Sequence, residues 1–68
     1  HSRSGIYVME FKLDEPAAAA LSQIREKRYG AAFLTGNQPV TAVGISFSSE
    51  SRSVAQWEAM PYAELMKG

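Results

Sequence analysis

The segment Ile6–Leu13 constrains the fold more than any other part of the chain, because its two strand faces differ in kind. Successive side chains of a strand point to opposite faces. One face is apolar from end to end, with Tyr7, Met9, Phe11 and Leu13, and is predicted to lie in the core. The other face begins apolar and turns charged halfway, with Ile6, Val8, Glu10 and Lys12. The pattern predicts a strand that is buried on both sides at its start, with Glu10 and Lys12 at the rim of a cleft.

A helix is predicted after this strand. Asp14-Glu15-Pro16 is typical of a helix start, with an acidic N-cap candidate and a proline near the first helical position. The segment 16–29 follows, and Gly30 is a signal for the end of the helix or for a kink. Residues 31–34 permit one further turn, and 35–39 has the composition of a loop. The helix would carry one narrow apolar stripe, formed by Ala17, Ala20, Leu21 and Ile24.

Val40–Phe47 predicts a second strand, whose two faces differ in side-chain size. The larger side chains are those of Thr41, Val43, Ile45 and Phe47. The smaller ones, which suit a helix packed closely against the sheet, are those of Val40, Ala42, Gly44 and Ser46. Two strands joined through a helix of this length predict a parallel pair with a right-handed crossover.

The segment 54–60, which follows a polar turn at 48–53, leaves two alternatives open. As a strand it places Trp57 between two alanines on one side. As a helix it begins with Ser53 and Gln56 in the spacing of a capping box. Pro61 ends either element, and residues 62–66 permit a last turn.

The chain is too small to cover both faces of such a sheet. It has 68 residues, and domains of that size are marginally stable without a staple or a partner. The apolar face around Tyr7, Phe11 and Ile45 therefore predicts either a fragment of a larger domain or a chain that self-associates. The absence of cysteine excludes disulfides and thiolate zinc sites and favours a reducing, cytoplasmic location. The longest apolar run, Ala17–Leu21, is far shorter than the ~20 residues of a membrane span, and residues 1–5 do not resemble the start of a signal peptide.

Charge gives no general support to strong phosphate binding, because seven Lys and Arg balance seven Asp and Glu. A local basic cluster stands at Arg25, Lys27 and Arg28. Acids before a helix and bases at its end complement the helix dipole. We prefer this explanation of the basic cluster to phosphate binding.

The residues with the clearest chemical potential are Glu10 and Lys12. Two residues apart on a strand, they point the same way, with Cα atoms ~6.5–7 Å apart. The carboxylate can hold magnesium and the ammonium can stabilise phosphate charge, although charged alternation is also common on exposed strands. Gln23, on the predicted helix, could hydrogen-bond a ligand above the sheet or lie on a solvated flank. His1, the only histidine, is neither a plausible ligand nor a general base.

One ordered set of motifs spans residues 6–58: Tyr7-Val-Met-Glu-Phe-Lys-Leu-Asp14, Ala20-Leu21, Gln23-Ile24, Lys27, Tyr29, Phe33, Val43-Gly-Ile-Ser-Phe-Ser48, Arg52 and Trp57. This set resembles the PD-(D/E)xK nuclease superfamily, and more closely its bacterial branch that is appended C-terminally to AAA-ATPase-like domains. The combination of Glu-Phe-Lys-Leu, a Gln-Ile helix and Gly-Ile-Ser-Phe carries the resemblance, since Glu-x-Lys alone is common.

The resemblance implies an α/β (α+β) mixed sheet: a partial restriction-endonuclease-like core in the order strand-helix-strand-strand, and the C-terminal part of a larger nuclease-like domain. It also implies phosphodiester hydrolysis that depends on magnesium (or manganese), with nucleic acid as the partner of the intact parent. Glu10 would be the catalytic carboxylate that binds metal, Lys12 the lysine near the scissile phosphate, and Gln23 a further site residue. Residues 54–58 would be a strand.

The chain departs from the family pattern at one position. The motif's first acid, an Asp on the preceding strand, has no counterpart, because none of the nine residues before Glu10 is acidic. Asp14 and Glu15 follow the strand and cannot easily replace the missing Asp. The piece is therefore expected to be inactive even if its parent is a nuclease, and enzymatic activity stays open. The alternative is a non-catalytic protein-interaction or nucleic-acid-docking module that could be dimeric. The expected boundaries are 1–5 for a disordered N-terminus or cloning remnant, 6–60 for the partial domain and 61–68 for a tail.

Overall fold

The described part of the chain folds into a three-stranded mixed sheet with two helices. The computed structural model describes residues 5–28, 36 and 38–67. The elements, in order, are β1 (Ile6–Leu13), α1 (Ala17–Lys27), β2 (Val40–Ser48), β3 (Ser53–Pro61) and α2 (Tyr62–Lys67). The strand order is β1-β2-β3, with β1 and β2 parallel and β2 and β3 antiparallel. The predicted α/β class and the strand-helix-strand-strand order are confirmed. The segment 54–60, for which the sequence leaves both strand and helix open, lies in β3, as the resemblance implies for 54–58. Among the residues that the structure describes, no helix is long and apolar enough to cross a membrane.

Helix α1 lies on the small-residue face of β2, as predicted. Val40, Ala42, Gly44 and Ser46 are all buried. Gly44 permits the closest approach: a Cβ built there would lie 2.6 Å from the carbonyl oxygen of Ala17 and 3.1 Å from side-chain atoms of Ala20 and Leu21. The helix therefore rests directly on the backbone of the central strand. It ends at Lys27, earlier than the predicted 16–29. Gly30, the possible turn at 31–34 and residues 1–4 lie outside the described residues.

The prediction that the uniformly apolar face of β1 forms the core is wrong. Tyr7, Met9, Phe11 and Leu13 are 65%, 47%, 52% and 61% exposed. The other face is buried at its start, where Val8 is 8% exposed. The reason is the register, which pairs Val8 with Ala42 and Glu10 with Gly44 and so turns the half-charged face of β1 toward α1.

The core lies between the sheet, α1 and α2. It consists of Val8, Leu21, Ile24, Val40, Ala42 and Tyr62. Tyr62 begins α2 and is fully buried, so this helix packs as part of the same folded unit as the sheet. Residues 62–66, for which the sequence permits a last turn, lie within α2.

The hydroxyl of Tyr62 gives a stability prediction. It is buried and has no hydrogen-bond partner among the described residues. An unpaired buried hydroxyl costs about 1–3 kcal/mol, so Tyr62→Phe should leave the free energy of unfolding unchanged or raise it. Tyr62→Ala, the control that removes the ring as well, should lower it by about 3–5 kcal/mol through the cavity it leaves. Urea unfolding followed by circular dichroism measures both; a Phe variant destabilised as much as the Ala variant would contradict the packing described.

The turn between β1 and α1 is held by hydrogen bonds to the β2–β3 hairpin. The predicted acidic N-cap is wrong. Pro16 occupies the N-cap and no side chain from the turn caps the helix. Instead, the Ala17 N–H donates to Gln56 Oε1 at 2.9 Å, and the Ser46 hydroxyl donates to the Glu15 carbonyl. Asp14, the predicted acidic cap, accepts hydrogen bonds from the Ser49 N–H at 2.9 Å and the Ser49 hydroxyl at 2.6 Å.

These two bonds make part of the stability dependent on pH. The hydroxyl and then the N–H of Ser49 hold the pKa of the Asp14 carboxyl below its ordinary value of 3.8. A carboxyl with a depressed folded pKa stabilises the fold above its unfolded pKa and loses that contribution as pH falls through the folded pKa. We expect Asp14→Asn to flatten the fall in unfolding midpoint below about pH 4. Glu50→Gln is the control, because Glu50 lies in the neighbouring turn and accepts no side-chain hydrogen bond from the described residues; an identical fall in wild type and Asp14→Asn would contradict the assignment.

Candidate functional site

Two rows of side chains on the helix-covered face form the candidate site. The register aligns Glu10 with Gly44 and Gly44 with Glu58 in one row. The next row aligns Lys12 with Ser46 and Ser46 with Gln56. The first turns of α1 lie over Gly44 in the middle of the first row. Glu10 and Lys12 therefore lie on β1, at one edge of the sheet, beside the start of α1.

Glu10 and Lys12 are half-buried charged residues without partners in the part of the chain described. Neither side chain takes part in a hydrogen bond or an ion pair among the described residues. The one ion pair found there joins Lys67 Nζ to Glu64 Oε2 at 3.6 Å on α2. Charged groups that are partly removed from water usually have a partner. The Glu10 carboxylate and the Lys12 ammonium are thus available to a ligand and do not form an ion pair with each other.

Gln23 lies on the same covering helix but further along it. It is half-buried and precedes Ile24, which is fully buried in the core. The α1 residues above Gly44 are Ala17, Ala20 and Leu21, so Gln23 stands beyond the Glu10 row and away from the Lys12 row. It makes no side-chain hydrogen bond with a described residue. The structure brings Glu10 and Lys12 together and leaves the place of Gln23 in the site a prediction.

Ser46 and Gln56 are site residues that the sequence analysis did not single out. Ser46 is 3% exposed, and both residues share the row of Lys12. Their hydrogen bonds fix the turn that passes beyond Lys12 to α1. A depression of about 470 Å³ adjoins this row; it is lined by Asp14, Glu15, Pro16, Ser46, Phe47, Ser48, Ala55 and Gln56. The available signal was polarity at positions facing the helix, Ser46 in β2 and Gln56 in β3.

The donor set fits a divalent cation only as one ligand of a hydrated ion. No cluster of three or more His, Cys, Asp or Glu residues that could hold a metal occurs within residues 5–28, 36 and 38–67. Glu58 shares the row of Glu10 but lies across α1 from it, and Asp14 is bonded to Ser49. Magnesium usually keeps several waters and takes one or two carboxylates together with substrate phosphates. Glu10 can supply one such carboxylate.

A mixed α/β core with an acid and a lysine two residues apart on a strand beneath a helix is compatible with a nuclease-like domain. The model of the PD-(D/E)XK nuclease superfamily matches residues 1–57, and the chain belongs to that superfamily. An uncharacterized protein in the vnfD 5' region of Azotobacter chroococcum mcd 1 is 39% identical over 51 residues, which cover 72% of this chain and 10% of the relative. The chain thus spans about a tenth of that relative's length. No solved structure matches the chain.

Proposed function

We propose that this chain is the C-terminal part of a nuclease domain that hydrolyses phosphodiester bonds. The observation that carries the proposal is the pair of half-buried charges at Glu10 and Lys12, which have no partner among the described residues. The resemblance assigns these two residues to the superfamily's acid and lysine. A carboxylate in this position fits a cation best, and an ammonium beside it fits a phosphate.

Each residue has a distinct role in this proposal. Glu10 would hold magnesium or manganese through a carboxylate oxygen, and such an ion supplies Lewis acidity and lowers the pKa of a water. Lys12 would stand beside the scissile phosphate and stabilise the negative charge that develops as water attacks phosphorus. Gln23 would orient a ligand from α1. Gln56 and Ser46 would keep the turn after Lys12 in place.

The parent would complete the site and hold the activity. An acid from a preceding strand would add the second carboxylate, since one carboxylate alone binds magnesium weakly. The parent would belong to the branch attached to AAA-ATPase-like domains and act on nucleic acid in the cytoplasm, with residues 6–60 as part of its nuclease domain. A relative about ten times longer than the matched region is compatible with further domains.

The test compares the 68-residue chain with a longer form of its parent that includes the preceding residues. Supercoiled plasmid is incubated with each protein and manganese, with a chelator as the blank. We expect nicking by the longer protein and none by the 68-residue chain. No nicking by either protein, on plasmid or on single-stranded DNA and RNA, would count against the nuclease proposal.

A second candidate, a protein-interaction module, is favoured by the exposed apolar side of the sheet, which we call the open face. It contains Tyr7, Met9, Phe11, Leu13, Thr41, Val43, Ile45, Phe47, Val54, Trp57, Ala59 and Pro61. None of these residues is charged. Phe11 and Phe47 stack on it, with ring centroids 5.6 Å apart, and Trp57 is 67% exposed. An apolar surface of this kind marks an interaction site.

We propose that two copies of this chain associate, so that the open face of one copy packs against the open face of the other. Six of its large apolar side chains, those of Tyr7, Met9, Phe11, Leu13, Val54 and Trp57, are each about half exposed or more, and a stable interface buries ~800 Å² per partner. Light scattering at micromolar concentration should give the mass of a dimer, and Trp57→Lys should give a monomer, whereas Arg52→Glu in the nearby turn should not. A monomeric wild type would contradict this proposal and leave the nuclease proposal untouched.

A further inference from the structure

The basic residues at the end of α1 converge on one depression. Arg25 and Arg28 line a depression of about 350 Å³ together with Ser22, Glu26 and Met66. Met66 belongs to α2, so the depression lies between the two helices. Helical spacing puts Gln23 and Lys27 on the opposite flank of α1. None of the residues that line the depression belongs to a strand, so it is separate from the Glu10 and Lys12 rows.

The two arginines have no acidic partner in the part of the structure described. Glu26 lines the same depression but forms no ion pair with either of them. Like charges three residues apart on a helix repel one another. An anion between the two guanidinium groups would remove that repulsion and could accept two-pronged hydrogen bonds from each.

The backbone conformation of Arg28 fixes where its side chain leaves the end of α1. Arg28 caps α1 in the left-handed conformation, with φ 56° and ψ 40°, and its N–H donates to the Ile24 carbonyl. Glycine is the residue that favours this position, because a Cβ is crowded there.

The helix dipole explains only part of this arrangement. Arg25 and Lys27 in the last turn complement the negative end of the helix. The dipole requires neither an arginine at the strained cap nor two arginines that line the same depression, and Lys27 does not line it. We infer that Arg25, Arg28 and the Ser22 hydroxyl form a binding site for a phosphate group, supplied either by free phosphate or by a nucleic-acid backbone.

The experiment is an NMR titration of the metal-free 68-residue chain, with a chelator present. Inorganic phosphate is added to one sample and a short single-stranded oligonucleotide to another. We expect saturable shifts of the Arg25 and Arg28 Nε–H signals. Shifts with inorganic phosphate assign the site to free phosphate; shifts with the oligonucleotide alone assign it to the backbone. No saturable shift with either probe overturns the inference.

Four variants separate this site from other causes. Arg25→Ala and Arg28→Ala should each weaken binding roughly tenfold. Arg52→Ala is the matched control, since Arg52 is also exposed and left-handed, with φ 59°, and it should bind like wild type. Glu58→Gln, which also removes one carboxylate charge, should bind like wild type. Because the titration contains no metal, failure of the nuclease proposal would leave this result intact. Equal weakening by Arg52→Ala would show non-specific attraction and overturn the inference.

Arg28→Gly separates a ligand-binding role from a structural one. Glycine suits the left-handed cap, so the variant should unfold at a higher temperature while binding the probe more weakly. A variant that unfolds earlier and binds the probe as well as wild type would overturn the role of Arg28.

Discussion

Gly44→Val should abolish the stable fold of this chain. A Cβ at residue 44 would stand 2.6 Å from the carbonyl oxygen of Ala17, and that oxygen belongs to the helix backbone. The clash cannot be relieved by a rotamer change, so α1 must move off the central strand. Overpacking costs about 1–3 kcal/mol for a small addition, and we expect that for Gly44→Ala. Valine adds two more methyl groups, and a domain of this size rarely has more than ~3–5 kcal/mol to lose.

Urea unfolding measures this effect, with Gly5→Ala as the matched control. At Gly5 the nearest atom to a new Cβ is the Pro39 carbonyl oxygen at 3.2 Å, at the start of β1, where the chain can adjust. The control should lose much less stability than Gly44→Ala. Equal midpoints for wild type and Gly44→Ala would show that α1 does not lie against the central strand as described.

Glu10→Gln should remove metal-dependent cleavage by the intact parent. The amide keeps the size of the side chain but loses the charge that holds a cation. Loss of residues that only support metal ligands already costs 10–100-fold, so we expect a loss of at least ~10²-fold for the ligand itself. Lys12→Met should lower kcat with little change in KM, since the ammonium acts on charge that develops during the reaction.

Glu58→Gln is the control for this prediction. Glu58 lies in the same row as Glu10 but across the central strand, and it is exposed. Cleavage rates with manganese, measured for the parent and its variants, should fall for Glu10→Gln and stay unchanged for Glu58→Gln. Equal losses in the two variants would point to general electrostatics rather than to a metal ligand.

Much of the fold could be predicted from side-chain alternation, but the buried face of β1 could not. The alternation of Ile6–Leu13 shows that its faces differ, and apolar content alone selects the face of Tyr7 and Phe11 as core. The small residues of β2 show which face of the sheet the helix covers. The parallel register then determines which side chains of β1 lie on that covered face. Register depends on contacts between distant residues, so the local pattern pointed to the wrong face.

The start of α1 shows the same limit. Asp14-Glu15-Pro16 has the composition of a cap, yet Gln56, 39 residues from Ala17 in sequence, accepts the bond from the first helical N–H. Asp14 binds Ser49 instead, 35 residues away. A short pattern cannot reveal a partner brought by a hairpin. The predicted pair Glu10 and Lys12 does lie on one face, because the two-residue repeat of a strand requires it, whereas the place of Gln23 depends on how α1 sits over the sheet.

The most direct measurement of the central claim is manganese-induced broadening of the NMR signals of the 68-residue chain. If Glu10 is a metal ligand beside Lys12, broadening should appear first at Glu10, Lys12, Gly44 and Ser46, at millimolar manganese, and Glu10→Gln should abolish it. Signals of Glu58 and of the Asp14 turn, which lie further from the ion, should broaden less and at higher manganese concentration. Broadening that centres on the Asp14 turn, or that persists in Glu10→Gln, would contradict the proposed site.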